Sequence, residues 1–294
     1  MTANPEPTGG WLRRLFRLTG KDPFALAGLL IYVVFALTAV FADRLALHDP
    51  LEILFLPAGK VAANKSPGGT FWLGTTSLGR DVFSQLVYGA RSALMVGLTA
   101  ALVVVVAGTL VGLFSGYYGG WVDAVLMRLG DVALSIPFLP FIIVLAAFLK
   151  PNIWNVVIGV SALLWPNTGR IVRSQVLTLR ERSYVEAARV SGASHLRILF
   201  THIAPNVLPI SFLYGSIVVG WAIFTEASVS FLGFGPSDSV SWGFMLQDAF
   251  VSQALSRGAY YWFVPSGLCI MLMVAAGFFI SRGYEELLFP KLRD

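Results

Sequence analysis

Charge is scarce in this chain. Lysine, arginine, aspartate and glutamate together make up 13% of its 294 residues, about half the share of an ordinary soluble domain. A soluble protein so poor in charge would expose apolar patches large enough to drive association. Cysteine is nearly absent. Cys269 is the single one; it cannot form an internal disulfide, and its apolar run makes it a small core or lipid-facing side chain. The three histidines, His48, His195 and His202, are scattered, and the last two lie seven apart, which is not a zinc spacing. No metal cluster is encoded, and neither H-E-x-x-H nor a paired-aspartate dyad occurs, so an intramembrane hydrolase is excluded. A nucleotide-binding loop is missing as well. The two Gly-Lys pairs, Gly20-Lys21 and Gly59-Lys60, run on into Asp22 and Val61, where G-x-x-x-x-G-K-[ST] requires Ser or Thr.

What is abundant is apolar. Hydrophobic residues reach 56% and the mean hydropathy is +0.73, which marks an integral membrane protein. A bilayer core takes roughly 20 apolar residues as a helix. Six runs are read as spans, at about 24–42, 92–117, 132–149, 153–168, 206–225 and 262–280, the fourth shorter than the others. The first follows Arg13, Arg14, Arg17 and Lys21 but is long and lacks an A-x-A site after it, so it reads as an uncleaved span. The net charge of +5 belongs to cytoplasmic loops in such a protein rather than to nucleic-acid binding. With the N-terminus inside, fourteen of the 21 basic residues fall on the cytoplasmic side. Both termini are therefore expected in the cytoplasm, with residues 1–23 a cytoplasmic segment and 24–294 the membrane unit.

Two outer segments are long, Asp43 to Arg91 and Glu226 to Tyr261. Phe83, Leu86, Val87 and Ala90 fall at i, i+3, i+4, i+7, which predicts a short amphipathic helix lying at the surface. No internal repeat is visible, unlike many secondary transporters.

Between the fourth and fifth runs lies a charged stretch, YVEAARVSGASHLRILFTHIAPNVLPI, from Tyr184 to Ile210. It reads as two short helices. Glu186 suits the positive end of the first. Gly192 is placed just past its end, where a left-handed residue is needed. Ser194 is placed to cap the second. Leu196, Leu199, Phe200 and Ile203 form one apolar stripe, and Pro205 and Pro209 are expected to break the helix and begin the next span. Such an elbow can insert into a groove of another protein, and the same residues also suit an ordinary solvated hairpin.

The stretch resembles the "EAA" motif, E-A-A-x-x-x-G followed by I-x-L-P, of permease subunits of binding-protein-dependent ABC importers. Glu186, Ala187, Ala188 and Gly192 match its first half; Ile203, with Asn206, Leu208 and Pro209 beyond it, matches the second. LGTTSLGRDVFSQLVYGARSAL, GYYGGWVDAVLMRLGDVALSIP and FTEASVSFLGFG followed by SWGFML are similar to the C-type permease of the dipeptide, oligopeptide and nickel group. The likeness runs from about Leu73 to Leu246. It departs at Thr76, where the group carries an acidic residue, and in the tail FISRGYEELLFPKLRD, of which P-K-L-R still fits.

This resemblance implies an all-α subunit of six transmembrane helices, with the type I importer permease fold, in a bacterial or archaeal plasma membrane. It implies a second permease, two ATPases that bind the ATP and Mg, and an extracytoplasmic binding protein that delivers short peptides. The loop at about 180–203 would be the coupling helix, with Glu186, Ala187, Ala188, Arg189, Gly192, Ala193, Ser194 and Leu196 facing an ATPase. Oligosaccharides and nickel complexes are alternative cargoes. An ion-coupled carrier would need carboxylates in mid-span, and the runs lack them.

Other marked residues have two readings each. Glu226 either shapes the outer loop by a hydrogen bond or touches the path. Pro137, with Pro140, kinks the third run, as a bend lining a path or a packing adaptation. Asp131 is expected to pair with Arg128 or Arg170. Gly108, Gly112, Gly116 and Gly120 recur every four residues and permit close helix contact, within the chain or against a sister permease. Trp154, Trp165, Trp221 and Trp262 read as interfacial belts.

Overall fold

The computed structural model describes residues 22–149, 152–235 and 239–288, without the side chains of 285–288. The basic segment before residue 22, Lys150 and the closing P-K-L-R lie outside the described residues. Among those described there is no strand, and the outer loop carries only isolated bridges such as Thr75 with Asp81.

The first helix, α1 (Pro23–Val40), starts at Asp22, whose Oδ1 accepts the Phe24 N–H at 2.8 Å. Proline at its first position costs nothing, since that N–H has no helical partner. A single turn, α2 (Ala42–Leu45), follows. The long α3 (Val82–Tyr118) has 37 residues, or roughly 55 Å of axis. Asp81 caps it, accepting the Ser84 N–H at 2.9 Å. The expected surface helix around Phe83–Ala90 is not separate. It is the first turns of α3, and Val87 and Ala90 are buried. Ala90 and Leu86 pack with Trp242 of a later helix in the main core.

Helices α4 (Gly120–Ser135) and α5 (Phe138–Phe148) form a pair bent by 80°. The run at 132–149 is therefore broken, more sharply than a proline kink. Pro137 is the N-cap of α5, and the backbone leaves the α region before it, as the residue preceding proline prefers. Helix α6 (Ile153–Leu179) continues through Pro166 well past the expected end at 168.

The elbow comprises α7 (Ser183–Val190), the short α8 (His195–Arg197) and a π-turn at Ile198–Ile203. The last leads without interruption into α9 (Ala204–Phe231). Pro205 and Pro209 do not break it. The wider π-turn, in which the Ala204 N–H reaches the Leu199 carbonyl, relieves the crowding that a proline ring imposes four residues back. A short helix α10 (Trp242–Val251), in the loop expected outside, and α11 (Tyr260–Leu288) are the last described elements.

Four described stretches are long and apolar enough to cross a membrane: Pro23–Val40, Val82–Tyr118, His195–Phe231 and Tyr260–Tyr284. The bent α4–α5 pair counts as a fifth if it is one span. Helix α6 is long enough, but Asn155, Asn167, Arg170 and Arg173 make it too polar to join them.

Helices α3 and α6 lie against each other, and glycine sets their separation. A Cβ on Gly112 would stand 2.6 Å from the Gly169 carbonyl oxygen. On Gly108 it would stand 2.8 Å from that of Trp165, and on Gly116 2.9 Å from that of Arg173. Three of the four every-fourth glycines thus pack within the subunit, backbone against backbone, whereas a Cβ on Gly120 would meet nothing within 4 Å. The main core gathers α3, α9, α10 and α11 around Ile223, Trp242, Met245, Trp262 and Met273. Trp262 is fully buried there, so it is a core residue and not a belt residue. Trp154 and Trp221 are about half exposed.

Candidate functional site

The elbow is a surface feature on an internally satisfied frame. Gly192 adopts φ +79°. Its N–H bonds the Arg189 carbonyl at 3.1 Å, and the Ala193 N–H bonds that of Ala188 at 3.0 Å. These are the two bonds of a glycine-terminated helix end. Ser194 Oγ then accepts the Arg197 N–H at 3.4 Å. Glycine and serine therefore take the positions that their chemistry predicts.

Burial divides the elbow into two faces. Val185, Ile198, Leu199 and Ile203 are fully buried against Leu113, Tyr117, Val172 and Val176 of α3 and α6. Glu186, Ala187, Arg189, Gly192, Ser194 and Leu196 are exposed, and Ala188 and Ala193 are half-buried. The apolar stripe is only partly the expected one. The π-turn shifts the register, so that Ile198 goes in while Leu196 and Phe200 stay exposed at 57% and 47%. Val190 is 90% exposed. Three apolar side chains on an otherwise polar knuckle leave a surface with something to bury. Glu186 forms no ion pair among the described residues. A Cβ at Gly192 would meet nothing within 4 Å of this chain.

Several polar contacts tie the elbow and α4 to the helix bundle. Arg173 holds Asp123 with two hydrogen bonds, one of 2.6 Å from Nε to Oδ1, and Ser115 Oγ donates to the same carboxylate. Arg170 donates to Asp131 at 2.6 Å, the second of the two expected pairings. Arg180 Nη1 donates to the Gly116 carbonyl at 3.0 Å, satisfying one of the orphan acceptors at the end of α3. The Tyr117 hydroxyl and His195 Nδ1 are 2.9 Å apart. Ser115 and Asp123 lie eight positions apart; the other partners lie 39 to 78 positions apart, and of those only Arg170–Asp131 is an expected pair.

A second feature lies at the break between α4 and α5. A cavity of about 610 Å³ opens there, with Ile136 and Phe138 on one side and Leu163, Asn167, Tyr214, Trp221 and Thr225 among its other walls. No charged side chain lines it. Pro137 is exposed and sits between two lining residues. Glu226 is not among the lining residues. It is 3% exposed, accepts from Ser230 Oγ at 2.7 Å, and has Ser241, the N-cap of α10, as a second partner. Glu226 is turned inward, onto Ser230 and Ser241.

At the end of the bundle opposite the elbow, Arg91 clamps Asp43 with bonds of 2.9 and 2.8 Å, and Tyr88 adds one of 2.7 Å. The hydrogen bonds from Arg91 and then Tyr88 hold the Asp43 carboxyl down at about 2. Trp242 Nε1 donates to the Leu86 carbonyl at 2.9 Å, and its ring lies over Gly89, fixing α10 to the start of α3.

Sequence comparison places these features. Residues 108–294 match the family described as binding-protein-dependent transport system inner membrane component. The dipeptide transport system permease protein DppC of Alkalihalophilus pseudofirmus is 35% identical over 283 residues, covering 96% of this chain and 90% of that protein. The oligopeptide transport system permease protein OppC of Bacillus subtilis is 36% identical over 276 residues, covering 93% and 87%. The glutathione transport system permease protein GsiD of Pectobacterium atrosepticum is 37% identical over 79% of this chain and 76% of its own. With nearly two thirds of its length inside that family match and relatives aligned almost end to end, the chain belongs to the inner-membrane permease components of binding-protein-dependent ABC importers.

Proposed function

We propose that this chain pairs with a second permease to form the path of an ATP-driven importer of short peptides. Family membership already makes it a transport subunit and not an enzyme. In the proposal, residues 24–294 are the membrane unit, both termini face the cytoplasm, and the elbow at about 180–203 seats in an ATPase. Glu186, Ala187, Ala188, Arg189, Gly192, Ala193, Ser194 and Leu196 form the seat. Two ATPases hold the ATP and Mg. An extracytoplasmic binding protein delivers the cargo.

One observation carries the proposal. The elbow is rigid by its own hydrogen bonds, yet it exposes Val190, Leu196 and Glu186, which has no ion pair among the described residues, around a glycine whose side-chain space is empty. Within this chain, Gly192 is needed only for its backbone angle; a partner approaching closely would also need its missing Cβ. A rigid knuckle moves as a body when its partner closes, which can shift the spans between inward-open and outward-open arrangements. Peptide cargo is supported by the transport proteins named above. It is also supported by the uncharged cavity wall, which suits cargo of varied sequence. Pro137, at the helix break beside that cavity, is the proposed bend of the path. Glu226 shapes the outer loop.

Glu186→Lys and Gly192→Asp test the elbow in reconstituted complexes. Both variants are expected to insert and to pair with the second permease. Transport is expected to fall at least about tenfold, because one or two lost interface contacts are worth that much. Wild-type coupling in both variants would overturn the proposal.

A further inference from the structure

The elbow has to pass its movement to the helices, and its packing singles out one route. Both legs are attached to the last turn of α3. On the first side, Arg180 Nη1 reaches the Gly116 carbonyl at 3.0 Å. On the second side, His195, the first helical residue after the Gly192 turn, lies 2.9 Å from the Tyr117 hydroxyl. The Tyr117 ring meets His195 edge-on at 5.8 Å, and Tyr118 stands 6.2 Å from the same imidazole. One turn earlier on α3, Phe114 packs edge-on against Phe200 of the π-turn at 6.2 Å. Three aromatic residues on one helix end thus bracket the second leg of the elbow. Tyr117 is 8% exposed and belongs to the core beneath the elbow, whereas His195 is exposed.

Helix α3 runs unbroken from this bracket to the opposite end of the bundle. There Ser84 Oγ accepts the Leu47 and His48 N–H groups at 3.1 and 3.0 Å and so fixes the outer loop, and Trp242 fixes α10. It contains no proline, so it carries displacement rather than absorbing it. At its inner end the chain turns at once through Gly119 and Gly120, both at positive φ, and enters α4, one arm of the bend beside the cavity. A pull on Tyr117 therefore acts at a joint between a long rod and a glycine hinge.

We infer that Tyr117 and His195 form a latch that couples elbow movement to α3, making Tyr117 a positioning residue for transport. This rests on the elbow reading above. The latch is directional: a buried, well-packed ring presents a single hydroxyl to an exposed imidazole. When the hydroxyl is removed, water can satisfy His195, so the fold keeps its packing while the elbow gains play relative to the rod.

The test uses the whole importer, co-purified with its partner chains and reconstituted in vesicles. Transport per ATP hydrolysed is measured alongside the yield of assembled complex. Tyr117→Phe should lower transport per ATP about threefold to tenfold, the change one ordinary hydrogen bond sets, with assembly unchanged. His195→Ala should do the same, and the double variant should be no worse than either single one. His195→Asn, which can offer its amide oxygen to the hydroxyl, should recover most of the loss. Full coupling in Tyr117→Phe, additive losses in the double variant, or no recovery with Asn would each overturn the latch. If Gly192→Asp uncouples transport while Tyr117→Phe is silent, the latch fails and the elbow stands. If both are silent, the elbow reading itself fails.

Discussion

Gly112 decides how closely two long helices approach. Its missing side chain leaves room for the Gly169 carbonyl, which would stand 2.6 Å from an added Cβ. Neither that oxygen nor the helix carrying it can move aside cheaply. Gly112→Ala should destabilise the folded chain by about 1–3 kcal/mol, as overpacking does elsewhere. Gly267 on α11 makes the contrast, because a Cβ there meets nothing within 4 Å. Gly267→Ala should stay within about 0.5 kcal/mol of the original. Thermal unfolding in one detergent, read by tryptophan fluorescence, separates the two. Some single residues were legible before the fold. The positions of Gly192 and Ser194 follow from local backbone chemistry alone, and both behave as that chemistry requires. Tyr117, Arg180 and Trp242 were not legible, because their partners are set by which helices become neighbours, and one sequence does not show that.

At the scale of elements, hydropathy located apolar runs well and helix ends poorly. Except for the broken run at 132–149, the core of each run sits inside a helix, but α3, α6 and α9 extend beyond the apolar stretch with polar or amphipathic turns. A bilayer-length window cannot register those turns. Pro209 is expected to break the helix, yet it sits inside a continuous one, as do Pro166 and Pro265. Pro137 is the one that separates two helices at 80°. This makes it the element-scale test. Pro137→Ala restores an N–H and lifts the restriction on Ile136, so Gly120 to Phe148 can straighten toward one helix. Transport should fall several-fold while assembly persists. An Ile136→Cys reporter, in a chain with Cys269→Ser, should become less reactive to a water-soluble thiol reagent. Unchanged reactivity and transport would mean that the bend is held by packing alone, without help from Pro137.

For the whole molecule, the division of labour explains the composition. The chain is poor in charge because its apolar helices are built to cross a membrane. Its ion pairs, among the described residues, cluster at the helix ends, with Arg91 and Asp43 at one end of α3 and Arg173 and Asp123 near the other. It has no phosphate-binding loop because, as a permease, it works with ATPase subunits. The family was legible from the EAA stretch and the segments flanking it, and the cavity was not, because its walls come from four separate helices. Elbow, α3 and outer loop helix form one connected column from the proposed ATPase side to the opposite side.

The central claim is that the knuckle around Gly192 seats in an ATPase. The most direct measurement places a photo-activated cross-linker at Ala187, which is exposed on α7, in native membrane vesicles, and identifies the captured chain by mass spectrometry. A control cross-linker at Ser66, exposed on the outer loop, shows what chance neighbours look like. The account predicts that position 187, and not position 66, captures a chain carrying G-x-x-x-x-G-K-[ST]. Capture of no nucleotide-binding chain from position 187, in vesicles that transport with ATP, would contradict it.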